Sequence, residues 1–264
     1  MRRAARHRRI LILGGTTEAR ELAARLVERH GRALDVVTAQ AGRTRAPRAV
    51  RGILHRGGFG GAAGLASFLR RERIDALVDA THPFATRMKA QAIAAARAAG
   101  TPFVTLRRGA WPRVSGDRWI EVEDGVAAAS AAAALGRRIF LTLGHRDLEA
   151  FAAIRDRHFL VRTIEPPLRF DFASAELLLA RGPFALDAER ALMRAHRIDV
   201  LVTKASGGDA TYAKIAAARE LGLPVVVIRR GAPPEAPSVG DVDAAVAWVR
   251  RRLRLGAGAT PRRG

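Results

Sequence analysis

The chain has 264 residues, enough for one large domain or two of ordinary size, and nearly half of them are apolar. It contains no cysteine, which excludes disulfides, thiolate metal sites, iron–sulfur clusters and cysteine nucleophiles. Its formal net charge of +21 comes almost entirely from arginine, since only three of the 46 basic residues are lysines.

The positive charge does not by itself indicate a nucleic-acid partner. Eleven of the arginines lie in the two ends of the chain, and the few aromatic residues do not interleave with basic ones as a base-stacking surface requires. We therefore predict no nucleic-acid partner, although a polyanionic small molecule fits the charge. No apolar stretch is long enough to cross a bilayer and no secretory signal is visible, so we expect a cytoplasmic protein without membrane contact.

Strands and helices alternate along the first half of the chain, a pattern typical of parallel α/β sheets. After a basic tail at residues 1–8, the apolar run Ile10–Leu13 predicts a buried strand, and Leu22, Ala23, Leu26 and Val27 mark one face of the helix that follows. The predicted strands of this half lie at 9–13, 34–38, 53–55, 76–79 and 103–106, and the helices at 17–29, 62–71 and from about 86 to 99.

The segment from Arg107 to Asp117 has the composition of a loop, and we place a domain boundary after residue 108. The second domain, 109–254, repeats the alternation, and residues 255–264 are predicted to be a disordered tail. Its strands are predicted at 119–121, 139–142, 158–162, 200–203 and 225–228, the last strand of the chain, and its helices at 125–135, 186–196, from about 210 to 221 and at 241–253. The fold class is α/β with two Rossmann-like domains.

The first strand turns into the first helix through Gly14-Gly15-Thr16-Thr17-Glu18. Such a turn directs backbone N–H groups and the positive end of a helix dipole at one point, which suits a phosphate. The sequence departs from the G-x-G-x-x-G fingerprint, and the alternative is a turn that serves only tight packing. Its position as the first strand-to-helix turn favours a nucleotide cofactor, with Thr16 and Thr17 adding hydroxyl donors.

No acid follows the second strand, where an NAD site usually has one to bind the ribose hydroxyls. The segment Gln40–Arg45 offers arginines instead, and a guanidinium binds the extra phosphate of NADP well. We predict a preference for NADPH over NADH that depends mainly on Arg43. A solvated arginine loop is the alternative.

Three further turns follow strands. The run Gly57-Gly58-Phe59-Gly60-Gly61 lies between a strand and a helix, so a close approach of backbone to a ligand is more plausible than a linker. In Thr81-His82-Pro83-Phe84, His82 is a candidate proton donor or a structural residue ahead of a helix. The segment Lys204-Ala205-Ser206-Gly207 combines a lysine, a hydroxyl and glycine, which predicts an anion-binding site. The alternative is that Lys204 is an ordinary surface lysine. None of the seven histidines has ligand spacing, so we predict no metal site.

Taken in order, these segments resemble the precorrin-6A reductase family of cobalamin biosynthesis, which includes the cobalt-precorrin-6A reductases. The resemblance covers about residues 9 to 230, and its most specific parts are Gly57–Gly61 and Thr81–Ala85. It implies NADPH-dependent reduction of one double bond of a corrin precursor to give precorrin-6B. It also implies two Rossmann-like domains with the active site in a cleft between them, and a substrate rich in carboxylates.

The resemblance assigns roles to individual residues. Domain 9–108 would bind NADPH through Gly14, Gly15, Thr16, Thr17, Glu18, Arg43, Gly57, Gly58, Phe59 and Thr81. The substrate would meet His82, Pro83, Phe84, Lys204, Ser206 and Gly207, with His82 and Lys204 as possible proton donors or anchors. We expect a monomer or small homo-oligomer. The alternatives are another NADP-linked reductase on the same scaffold and a basic nucleic-acid-binding protein.

Overall fold

The computed structural model describes residues 7–40 and 49–256 of the chain. These residues form two compact units. The chain passes from the first unit to the second between Arg108 and Gly109, and it returns to the first unit at Pro233.

The described residues form twelve strands and eight α-helices. None of these eight helices is both long enough and apolar enough to cross a membrane. The first unit begins with β1 (Arg8–Leu13), α1 (Thr17–His30), β2 (Leu34–Gln40), β3 (Ile53–Arg56), α2 (Gly61–Arg71), β4 (Ala76–Asp79), α3 (Thr86–Ala99) and β5 (Phe103–Leu106). The second unit contains β6 (Trp119–Val122), α4 (Gly125–Leu135), β7 (Arg138–Thr142), α5 (His145–Ala152), β8 (His158–Thr163), β9 (Ala175–Leu179), α6 (Leu186–Ala195), β10 (Val200–Lys204), a 3-10 turn (Asp209–Thr211), α7 (Ala213–Glu220) and β11 (Val225–Ile228). The first unit is completed by β12 (Ser238–Val239) and α8 (Val242–Leu253).

Each unit contains one six-stranded parallel sheet. The order is β12-β5-β4-β1-β2-β3 in the first and β6-β11-β10-β7-β8-β9 in the second. The two orders are the same pattern. The edge strand β6 is the first strand of the second unit, whereas the corresponding edge strand of the first sheet, β12, comes after the whole second unit. The predicted α/β class with two Rossmann-like domains is confirmed.

The apolar run of β1 is explained by a sheet that is covered on both faces. Ile10 and Ile12 pack into a core with α1 and α8, whereas Leu11 and Leu13 point to the opposite face and pack with α2 and α3. Successive residues of a strand alternate between faces, so a strand covered by helices on both sides must be apolar throughout. The second unit follows the same rule, with Phe140 packing among residues of α6 and α7.

The structure corrects the predicted elements in several places. β9 was missed because it is an edge strand with alternating burial and no buried apolar run. β12 has only two residues, and it makes our prediction that 225–228 is the last strand wrong. α5 starts directly after a turn and has only eight residues. The helix predicted at 241–253 belongs to the first unit and not to domain 109–254, because its apolar face packs on β1 and α1.

Two predicted segments fall largely beyond what is described. Residues 1–6 of the basic tail lie outside the described residues, and Arg8 begins β1. Residues 257–264 of the predicted C-terminal tail also lie outside them.

Candidate active-site turns

The sheet orders identify where each unit can bind a ligand. In the first sheet β1 and β4 are neighbours, and the chain proceeds from β1 to β2 on one side and from β4 to β5 on the other. In the second sheet β7 and β10 are related in the same way. The crevice at the carboxyl ends of such a strand pair is the usual ligand site of an open parallel sheet. The predicted turns at Gly14, Thr81 and Lys204 all follow one of these four strands.

Gly14 and Gly15 have different structural roles. A Cβ atom at Gly14 would stand 2.9 Å from Cγ2 of Thr38, and the Gly14 N–H donates to the Ala39 carbonyl at 2.8 Å, so this glycine allows β1 to pack closely on β2. Gly15 has φ +110, and a Cβ there would meet no described atom within 4 Å. The turn is therefore fixed at Gly14 and open to a ligand at Gly15.

The Thr16 hydroxyl is committed to the fold. It accepts a hydrogen bond from the Ala19 N–H at 3.1 Å, which caps α1, and it donates its proton to the Ala80 carbonyl at 2.8 Å. A hydroxyl has one proton, so Thr16 is not the phosphate donor that the sequence suggested. It links the turn after β1 to the turn after β4.

Thr17 and Glu18 form the first turn of α1. Their backbone N–H groups have no acceptor among residues 7–40 and 49–256, as expected for the start of a helix. The Glu18 carboxylate is paired with Arg108, whose Nη1 lies 2.7 Å from both carboxylate oxygens. This pairing offsets a negative charge that would otherwise repel a phosphate at the helix start.

The turn at Gly57–Gly61 is held by packing of Phe59. The Phe59 ring stacks on His55, with ring centroids 4.8 Å apart, and meets Phe68 edge-on at 4.9 Å. The backbone is open at Gly57 and Gly58, where a Cβ would meet no described atom within 4 Å. The turn thus offers open space for a ligand beside Gly57 and Gly58, although the Gly57 N–H already donates to the Gln40 carbonyl at 3.0 Å.

A buried ion pair supports the turn after β4. Asp79 is fully buried, and its Oδ2 lies 3.0 Å from Nζ of Lys89. Its Oδ1 accepts from the Thr81 backbone N–H at 3.0 Å and from the Thr81 hydroxyl at 2.6 Å. Thr81 is therefore oriented by a charged pair that links β4 to α3. Nothing in the sequence pattern had indicated a role for Asp79 or Lys89.

His82 is exposed in this turn. Its Nδ1 accepts from the Phe84 N–H at 3.3 Å, which places the proton of the neutral ring on Nε2, and the two rings lie 5.8 Å apart. The His82 carbonyl accepts from the Ala85 N–H at 2.8 Å just before α3 begins. Thr81, His82, Pro83 and Phe84 thus form one ordered turn next to Thr16.

Lys204 ends β10 and reaches across to the neighbouring turn. Its Nζ lies 2.5 Å from Oδ2 of Asp147 in α5, which begins where β7 ends. Ser206 is buried next to it, and a Cβ at Gly207 would stand 2.1 Å from the Gly109 carbonyl oxygen. Gly207, with φ +61, is required by packing in the same way as Gly14.

A buried cluster lies behind this turn, and sequence reasoning missed it. Trp111 donates its indole N–H to the Gly208 carbonyl at 2.9 Å. Nζ of Lys214 lies 5.5 Å from the centre of the Trp111 ring, and Arg162 and Glu189 form a buried ion pair nearby. Burial, and next the Arg162 charge, lower the pKa of Lys214 to about 7.

The predicted site residues therefore fall into two groups. The first unit brings together the turns after β1 and β4, joined by the Thr16–Ala80 hydrogen bond, and the second unit brings Lys204, Ser206 and Gly207 to its own switch point. Arg43 lies outside the described residues.

Comparison with known proteins identifies the family. The family model described as Precorrin-6x reductase CbiJ/CobK matches residues 9–250. The chain belongs to this family. It is 51% identical to precorrin-6A reductase from Rhodococcus erythropolis over 242 residues, which are 91% of this chain and 97% of that one. It is 46% identical to precorrin-6A reductase from Sinorhizobium sp over 241 residues, 90% of this chain and 91% of that one.

A solved structure of CobK precorrin-6A reductase has the same fold. It matches with a TM-score of 0.88 and 39% identity, covering 97% of this chain and 99% of that chain. As a precorrin-6x reductase, the chain is an oxidoreductase that acts on a carbon–carbon double bond, as the family resemblance implied.

The scarcity of lysine in the sequence of this precorrin-6x reductase could have identified Lys89 and Lys214, which the motifs did not. The chain has three lysines among 46 basic residues, and they are Lys89, Lys204 and Lys214. In the structure Lys89 and Lys214 are 8% and 5% exposed, and Lys204 stands at the switch point. A compact ammonium at these three positions, in a chain that otherwise uses arginine, indicates a specific local requirement.

Proposed function

We propose that this precorrin-6x reductase family member uses NADPH to reduce one double bond of precorrin-6A, giving precorrin-6B in cobalamin biosynthesis. Membership of the family supports the reaction. The observation that supports the coenzyme is the start of α1, at the switch point of the first sheet, where the backbone is open and the first N–H groups of the helix have no acceptor within the described ranges.

The residues at this turn fit the pyrophosphate of a dinucleotide. The N–H groups of Thr17 and Glu18 and the positive end of the α1 dipole are directed at the same place. Gly15 leaves space for a close approach, and Arg108 offsets the charge of Glu18. Gly57 and Gly58 offer open backbone after β3, the strand next to β2. When bound, NADPH supplies the hydride.

A preference for NADPH over NADH is part of the proposal. β2 ends at Gln40 with no acid to bind ribose hydroxyls, and Arg43 follows within three residues. A guanidinium there would pair with the extra ribose phosphate.

The chain's main contribution to the reaction is to hold its reactants. Positioning two reactants can supply about 7–11 kcal/mol of the barrier. We assign Thr81–Phe84 and Lys204–Gly207 to the substrate, because these turns stand at the two switch points. The proton that accompanies the hydride comes from the Lys204 ammonium or from His82 as an imidazolium, a form in which Nδ1 no longer accepts from the Phe84 N–H.

The choice between these two proton donors is open to a direct test. If His82 is the donor, His82→Ala slows single-turnover reduction by roughly 100-fold or more while precorrin-6A still binds. Near-normal turnover would remove His82 from the chemistry and leave Lys204.

The coenzyme site is tested by Thr17→Asp. Thr17 is exposed in the first turn of α1, where an added carboxylate stabilises the helix but repels a phosphate. We expect NADPH to bind at least about tenfold more weakly by calorimetry, with the thermal midpoint unchanged or raised. Thr17→Asn is the neutral control.

The same titrations test the coenzyme preference. Arg43→Ala should weaken NADPH binding and leave NADH binding unchanged. Full NADPH affinity in the Thr17→Asp variant would place the coenzyme elsewhere, and equal binding of both coenzymes by the unsubstituted chain would contradict the preference.

A further inference from the structure

The second unit contains a buried group of charges that the proposed reaction does not use. Arg162 of β8 and Glu189 of α6 form a two-pronged ion pair, with Nη1–Oε1 and Nη2–Oε2 distances of 2.5 and 2.9 Å. The Arg162 guanidinium carbon also lies 4.8 Å from the ring centre of Phe140 and 3.8 Å from that of Phe184. This pair occupies both oxygens of Glu189.

Lys214 is the third charge of the group, and among the described residues the carboxylate that acts on it, Glu189, is already paired to Arg162. It is 5% exposed, yet in the part of the chain that the structure describes its Nζ has neither a hydrogen-bond acceptor nor an ion-pair partner. Its nearest ring is Trp111, whose centre lies 5.5 Å away. With Glu189 already paired to Arg162, the group holds two cations and one anion when Lys214 is protonated.

The uncompensated charge stands where a ligand is expected. Arg162 is the last residue but one of β8, and Lys214 is the second residue of α7, so both lie at the carboxyl edge of the sheet together with Lys204. The positive end of the α7 dipole adds to the potential there. Trp111, beside Lys214, is hydrogen-bonded to Gly208, two residues past Ser206 in the predicted substrate turn.

A buried charge is stable in a protein only when it is paired, and an unpaired lysine otherwise tends to lose its proton. An anionic group of a ligand at this edge of the sheet would both restore the charge of Lys214 and pair it. We propose that Lys214 is the counter-ion of one carboxylate side chain of the tetrapyrrole substrate. The inference rests on the proposed function, and it adds a specificity residue beyond the turn at Lys204.

The pairing predicts a change of protonation on binding. The charged groups that act on Lys214 are Arg162 and Glu189, and the pKa of Lys214 is lowered to about 7, chiefly by desolvation. A carboxylate that arrives next to the ammonium raises this pKa again. Substrate binding slightly above neutral pH must then take up on the order of one proton.

The test uses the full chain with NADP+, which allows precorrin-6A to bind without turnover. Calorimetry at about pH 8, in buffers with different ionisation enthalpies, gives both the Kd for precorrin-6A and the number of protons taken up. For Lys214→Met we expect a Kd about 10- to 100-fold higher, loss of the proton uptake and little change in kcat with NADPH. Lys214→Arg should keep most of the affinity without the proton uptake, because an arginine is always charged.

Two controls make the result specific. Arg190→Met removes one positive charge from the same unit at an exposed ion pair, and it should leave both quantities unchanged. Lys214→Gln is the second variant if Lys214→Met does not fold, and far-UV circular dichroism checks each protein.

Unchanged Kd and proton uptake in the folded Lys214 variants would overturn the inference and leave the proposed function standing. A large loss of kcat with unchanged Kd would also overturn it, since that result would make Lys214 a proton donor. If the unsubstituted chain did not bind precorrin-6A, the proposed function would fail as well.

Discussion

At the scale of single residues, the sequence identified candidate site residues that directly follow a strand. It missed charged residues whose interaction partners lie in another helix or strand. Lys204 was predicted because it stands at a strand end before glycines. Lys89 and Lys214 lie inside helices, and only the structure shows that Lys89 turns back to Asp79 of the preceding strand and that Lys214 lies near Arg162. Helical periodicity predicts which face of the helix such a residue lies on, but it does not predict which residue it contacts.

The lowered pKa of Lys214 makes stability depend on pH in a defined direction. The unfolded chain holds a proton at Lys214 up to the ordinary lysine pKa of 10.5, whereas the folded chain, in which this pKa is about 7, loses the proton above that pH. The unfolded state therefore binds more protons within this window, and the free energy of unfolding rises with pH across it. Below about pH 7 Lys214 is protonated in the folded chain, and the free energy of unfolding is reduced by the full cost of burying its charge.

Lys214→Met removes this dependence. We expect the variant to be more stable than the unsubstituted chain at about pH 7, and the advantage to shrink by roughly 3 kcal/mol by about pH 9.5. Urea unfolding in a Trp248→Phe background reports the second unit, because the remaining tryptophans, Trp111 and Trp119, belong to it. Arg190→Met should show no comparable pH-dependent difference, and a pH-independent advantage of Lys214→Met would contradict the explanation.

At the scale of elements, the turns were predicted better than the contacts that fix them. The β1–α1 turn follows from a buried strand, two glycines and a helix start, all of which are local. The Thr16 hydroxyl donates to the carbonyl of Ala80, which lies 64 residues away. This contact exists because β1 and β4 are neighbours in the sheet, and no local sequence pattern shows that. Phe59 likewise looked like a ligand contact because its packing partners, His55 and Phe68, are set by how α2 folds back on β3.

At the scale of the whole molecule, the alternation of strands and helices predicted two similar α/β units, and it placed β6 in the correct one. It did not predict that the first sheet takes its sixth strand, the two-residue β12, from beyond the second unit. α8 has the apolar stripe of any helix that covers a sheet, and that stripe does not say which sheet it covers. Linear order favoured the second unit, whereas the buried faces of β1 and α1 show that the helix completes the first.

The position of α8 in the first unit predicts which unit unfolds when α8 is damaged. Val249 is fully buried in the first unit's core, so Val249→Asp places an unpaired carboxylate there and should cost more than about 3 kcal/mol. Hydrogen exchange followed by mass spectrometry should show lost protection in peptides from β1, α1 and β4, with peptides from β7, β8 and β10 still protected. Because the proposed coenzyme turn lies in the first unit, NADPH binding should be lost too.

The control is Arg252→Asp, on the exposed side of the same helix, which should leave both units protected from hydrogen exchange. Loss of protection in the second unit, with the first intact, would show that α8 belongs where linear order places it.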